Sequence, residues 1–126
     1  MNEEKKYQLV EMLTSKILTP LVYYIQNENV IQFFCFCDGD ITYSEIFNAE
    51  WVLMTMTDYK IEIIDFREFD EIERFQILKE AEMVYCADPT IQQLFEWSMM
   101  NDATMVLTQK QQLLDRIKDC ETAFLN

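Results

Sequence analysis

One glycine, Gly39, and two prolines, Pro20 and Pro89, are all that interrupt a chain of 126 residues. Glycine is the residue that admits positive φ and lets backbone approach a bound phosphate, so this chain has almost no material for glycine-rich loops or flexible linkers. No low-complexity stretch and no internal repeat divides it, and residues 1–126 are expected to form a single domain. Half of the residues are hydrophobic and 13% are aromatic, which suffices for one core.

Charge narrows the partners. With 23 acidic residues against 10 basic ones, the chain carries a formal charge of −13 and repels phosphate backbones and anionic lipid heads. Direct binding of nucleic acid or membrane is therefore not expected. The chain opens on Asn2-Glu3-Glu4-Lys5-Lys6, and no apolar run approaches the roughly 18 residues of a membrane span, so neither signal peptide nor anchor is expected and the cytoplasm is the expected compartment. Cys35 and Cys37 lie in an apolar run while Cys86 and Cys120 stand alone, a spacing of reduced core thiols rather than of a zinc site. Histidine is absent and Ser15, Ser44 and Ser98 are the only serines, which removes the parts of a nucleophile–base pair.

Periodicity supplies the elements. Leu9, Val10, Leu13, Ile17, Leu21, Tyr24 and Ile25 recur at three-and-four spacing, predicting an opening amphipathic helix from Glu3 toward Gln26 with a kink or boundary near Thr19, before Pro20. Asn29 to Cys37 is an apolar, β-prone run ended by Asp38-Gly39-Asp40, and it predicts a central strand. After an acidic turn-rich passage, residues 51–56 and 60–66 predict two strands joined as a hairpin through Thr57-Asp58-Tyr59. A helix is predicted from Phe69 to Lys79, a short strand over Met83–Cys86, and helix from Pro89, capped by Asp88, toward Phe124 with a break near Asn101-Asp102. The fold class is α/β in the α+β sense: a small mixed sheet packed by an N-terminal helix, a middle helix and C-terminal helices.

Lys60 to Pro89, an acid-bearing strand followed by a helix and a short closing strand, resembles the corresponding stretch of the minimal nucleotidyltransferases, small bacterial relatives of the polymerase-β superfamily. The likeness spans most of the chain. In that family a Gly-Ser pair after the first strand holds the triphosphate, and an Asp-x-Asp pair with a third carboxylate holds two divalent metals. The resemblance places Glu62 at the third carboxylate. It places the metal pair either at Asn48-Ala49-Glu50 or at Ser44-Glu45-Ile46-Phe47, so Glu50, Glu62, Asn48 and Glu45 are the candidate metal ligands. The nucleotide loop maps to Cys35, Phe36 and Gly39, where Phe34-Cys35-Phe36 stands in the place of Phe-Gly-Ser and the phosphate-binding pair is missing. Asp38, Asp40, Glu45 and Glu50 would also crowd an anionic substrate.

The expectation is thus a degenerate nucleotidyltransferase-like protein, not a working enzyme, that acts by binding a partner protein or a second copy of itself. The resemblance implies a toxin–antitoxin pairing with a helical HEPT-type partner. Trp97 and Met100 are the candidate partner face. No cofactor is expected. The enzyme alternative is a metal-dependent transfer of a nucleotide to a protein or small molecule, needing Mg²⁺ with ATP or GTP. The acidic run Asp65, Glu68, Asp70, Glu71 and Glu73 reads as a solvated helix face, or else belongs to an acidic mimic that blocks a basic nucleic-acid-binding protein.

Overall fold

The computed structural model describes residues 1–37 and 39–125, with side-chain surroundings through position 119. The Asp38 carboxylate and the Cys120 and Phe124 side chains lie outside the described residues. The opening helix, α1 (Glu3–Lys16), starts where Asn2 accepts the Lys5 N–H at 2.8 Å and stops short of Pro20. The expected continuation toward Gln26 is instead a strand, β1 (Leu21–Gln26). Its first four residues are all buried, so it reads as an unbroken apolar run that periodicity alone does not separate from a helix.

A tight turn at Asn27-Glu28-Asn29, closed by Asn27 N–H donating to the Val30 carbonyl at 2.9 Å, leads to the expected central strand, β2 (Val30–Phe36). Next comes the principal correction. The expected strand over 51–56 and its hairpin are absent: residues 51–54 continue a helix, α2 (Tyr43–Met54), whose N-cap Thr42 accepts the Glu45 N–H at 3.2 Å, and a turn follows it. Helix α2 returns the chain to β3 (Lys60–Asp65), which pairs parallel with β2. A 3₁₀ turn over Phe66–Glu68 precedes α3 (Glu71–Glu80), and a reciprocal Asp70–Glu73 capping box starts that helix. Strand β4 (Glu82–Cys86) and α4 (Pro89–Leu125) follow as expected, but α4 runs through Asn101-Asp102 without a break.

The four strands lie in the order β3-β2-β1-β4, with β1 antiparallel to both neighbours. Alternation along the strands splits the core into two layers. Val22, Tyr24, Ile31, Phe33, Cys35, Ile61 and Ile63 pack beneath Leu9, Val10 and Leu13 of α1 and Ala49 and Leu53 of α2. On the opposite face Leu21, Tyr23 and Phe34 meet Phe66, Phe95 and Met99, with Ile77 and Leu78 of α3 against them. The rings of Phe66 and Phe95 lie edge to face at 5.2 Å, and Tyr23 Oη donates to Glu96 at 2.7 Å, tying the sheet to α4.

The two thiols of the apolar run keep the character read from the sequence, and the acidic run does not. Cys35 and Cys37 are free and buried, and burial pushes the Cys37 thiol up to about 11 and Cys35 well above its ordinary value, which suits core thiols. The acidic run is not uniformly solvated. Asp65 is buried and accepts from Arg67 at 2.7 and 2.8 Å, and Asp70 is a helix cap rather than a face residue.

Candidate functional site

Alternation along β3 sends Ile61 and Ile63 to the α1/α2 layer and leaves Glu62 on the other side of the sheet, half-buried. The residue opposite it on β2 is Gln32, whose Nε2 donates to Glu62 Oε2 at 3.1 Å. Lys60 Nζ stands 3.7 Å from Glu62 Oε1. The carboxylate is therefore met by one amide and one ammonium.

Glu50 approaches the same carboxylate from α2. Burial pushes the Glu50 carboxyl above its ordinary value, the charge of Glu62 pushes it further, and the Ile63 N–H and Lys60 oppose the shift. Because β3 is an edge strand, that N–H has no strand beyond it to pair with, and Glu50 answers it from the helix. Thus Glu50 and Glu62 are brought together. Glu45 and Asn48 are exposed on α2 at other angles of the helix.

Among the described residues no three Asp, Glu, Cys or His side chains converge in a way that would hold a metal ion. The position across from Glu62 on β2 supplies an amide rather than a second carboxylate, and the donor at 3.1 Å from Oε2 is an N–H, which is no ligand for a divalent cation. The phosphate-binding position fares no better. The first strand is β1 rather than β2, so the segment after it is the turn at Asn27-Glu28-Asn29, again without glycine. Cys35 and Phe36 are strand residues, Cys35 fully buried and Phe36 packed at 4.8 Å on Phe95. Gly39 has φ +99°, a left-handed value that favours glycine, and a Cβ there would meet nothing within 4 Å. Its glycine serves the turn rather than close approach to a ligand.

Trp97 and Met100 lie one turn apart on α4, 66% and 53% exposed. Met100 closes a shallow cleft of about 290 Å³ with Phe75, Leu78, Lys79 and Glu96. The sequence reading missed a second apolar surface, Tyr43, Phe47 and Trp51 on α2, because it took Trp51 for a strand residue and the passage before it for turns. Two signals were there to find it: the Thr42-x-x-Glu45 spacing of a helix start, and three aromatics at i, i+4 and i+8.

A mixed four-stranded sheet with helices on both faces, an acid at the centre of the strand after the β2–α2 crossover, and a short closing strand make up the minimal nucleotidyltransferase fold, which this chain has. It superposes on the MntA component of a toxin–antitoxin MntA–HepT complex with a TM-score of 0.75 at 13% identity, over 93% of this chain and 99% of that one. Against the complex of a tri-AMPylated Shewanella oneidensis HEPN toxin with an MNT antitoxin the TM-score is 0.76 at 13% identity, over 94% and 99% of the two chains. A toxin–antitoxin structure with AMP-PNP gives 0.73 at 15% identity, with 94% and 99% covered. No family model and no curated relative matches the sequence. No helix among the described residues is long and apolar enough to cross a membrane.

Proposed function

We propose that this chain is an antitoxin-like member of a two-protein pair, a nucleotidyltransferase fold that acts by holding a HEPN-type partner protein in the cytoplasm and transfers no nucleotide. The observation that carries the second half is Gln32. It stands opposite Glu62, where a metal-binding strand pair needs a second carboxylate, and its amide already donates to the Glu62 oxygen. The first half draws on the structural neighbours, which are MNT antitoxins in complexes with HEPN toxins, and on the exposed aromatic and methionine side chains of α2 and α4. Tyr, Trp and Met are the side chains that anchor protein interfaces. The high acidic charge suits a basic partner rather than nucleic acid.

The enzyme reading keeps one observation in its favour, the convergence of Glu50 and Glu62. One pair of experiments separates the two. Calorimetric titration of the native chain and Glu62→Gln with ATP and GTP, with and without Mg²⁺, is expected to show no metal-dependent binding in either; binding abolished by the substitution would restore nucleotide transfer. Co-expression with a HEPN-domain toxin is expected to yield a stable complex and to relieve growth arrest. Two separate proteins on gel filtration would overturn the antitoxin reading.

A further inference from the structure

Helix α2 is apolar over far more of its circumference than the core uses. At 100° per residue, the arc from Ala49 through Leu53, Ile46 and Tyr43 to Trp51 spans about 200° and is interrupted only by Glu50, whereas a core-facing helix needs about 100°. The sheet takes Ala49 and Leu53. The other end of the arc faces solvent, with Tyr43 82%, Phe47 64% and Trp51 63% exposed. Three large aromatic side chains in one stripe, none covered, are the composition of an interface anchor rather than of an ordinary solvated face.

The surroundings specify what covers the stripe. Between Lys16 and Lys60 the chain has no lysine or arginine, while Asp40, Glu45 and Glu50 stand on or beside α2. A cleft of about 380 Å³ runs beside the stripe between Tyr43, Ser44, Phe47, Asn48 and Glu50. A second one at the start of α2 is lined by Asp40, Tyr43, Ile46, Asp65, Arg67 and Glu68, and its only cation, Arg67, is held by Asp65 at 2.7 Å. An apolar stripe rimmed by more carboxylates than cations disfavours a second copy of this chain, which would bring acids against acids, and it matches aliphatic side chains interspersed with arginine or lysine.

We propose that the Tyr43–Phe47–Trp51 stripe of α2 is the docking face for the partner protein, and that the partner segment seated on it is basic and aliphatic. This deepens the partner-binding reading and rests on it. The aromatics supply the desolvated contact; the acidic rim sets orientation and speeds encounter.

The test uses the full chain and a fluorescein-labelled amphipathic peptide of leucine and arginine, with a leucine and glutamate peptide of equal length as control, read by fluorescence anisotropy. The native chain is expected to bind the arginine peptide, more weakly as salt rises, and to leave the glutamate peptide free. Phe47→Ala and Trp51→Ala, which change no charge, are expected to weaken binding by about tenfold or more, and Tyr7→Ala on α1, 58% exposed and outside both apolar surfaces, to leave it unchanged. All three side chains are exposed, so circular-dichroism melts should match the native chain. Equal binding by Phe47→Ala and Trp51→Ala would reduce the effect to net charge and overturn the proposal, as would binding of the glutamate peptide or a loss confined to Tyr7→Ala. A dimer that Phe47→Ala dissolves on sedimentation would assign the stripe to a second copy and overturn it too. A HEPN-type complex that forms normally with both stripe variants sinks this proposal alone; failure of the native complex, with the peptide result intact, sinks the choice of partner and leaves the surface.

Discussion

Gln32 and Glu62 show how little separates a metal-binding strand pair from a self-satisfied one. The two residues sit opposite each other on parallel strands, and an amide in place of one acid turns mutual repulsion into a 3.1 Å hydrogen bond. Glu50 does not share that relief. Its carboxyl is pushed up by burial first and by Glu62 second, so the folded state disfavours its ionised form. The sign for stability follows: below the ordinary carboxyl range both states are protonated and nothing is lost, and as pH rises through the raised value the folded chain pays for an ionised Glu50. Glu50→Gln keeps an oxygen for the Ile63 N–H and removes the charge. It is expected to raise the melting temperature by about 1–4 °C at pH 7 and to leave it unchanged near pH 4, which paired thermal melts would check. A lower melting temperature at pH 7 would mean that the Ile63 contact outweighs the repulsion.

At the scale of elements, α4 divides into two parts. Phe95, Met99 and Ala103 are buried against the sheet and the neighbouring helix, whereas every described residue from Leu107 to Asp119 is exposed. A stop after Leu107 therefore removes helix and leaves the core intact. It is expected to keep the melting temperature of the full chain while far-ultraviolet ellipticity falls in proportion to the residues lost; a collapse in stability would show that the distal helix folds back on the body. How legible each element was in the sequence follows from its burial. Strands β2 and β4, helix α3 and the start of α4 carry strong local signals: an apolar run, a capping box at Asp70, and Asp88-Pro89. Strand β1 was hidden because a strand buried on both faces loses its alternation. Helix α2 was hidden because its apolar arc is too wide to show a clean period, and its Trp51-Val52-Leu53-Met54 reads locally as strand. The site suffered accordingly. Glu62 was legible from Ile61 and Ile63 on either side of it, but Gln32 became visible only when strand register put it across from Glu62.

The whole molecule carries −13 on 126 residues and lacks histidine. Such a charge favours solubility and opposes compaction, and the opposition is long-ranged and therefore screened. Raising sodium chloride from about 20 mM to about 500 mM, which shortens the screening length several-fold, is expected to raise the melting temperature by several degrees. Calorimetric scans across that series would test it, and a flat or falling series would mean that the few ion pairs, such as Lys6 with Glu3 and Glu82, outweigh the general repulsion.

The charge is also unevenly distributed, and the stretch without a cation from position 17 to 59 holds β1, β2 and α2 together with the whole aromatic stripe. Trypsin has nowhere to cut inside it, so those three elements emerge from a digest as one large peptide, Ile17–Lys60. Lysine-directed cross-linkers are equally blind there. The face argued to meet the partner is thus one that routine footprinting of a complex passes over, and chemistry aimed at carboxylates or at tryptophan is what would map it.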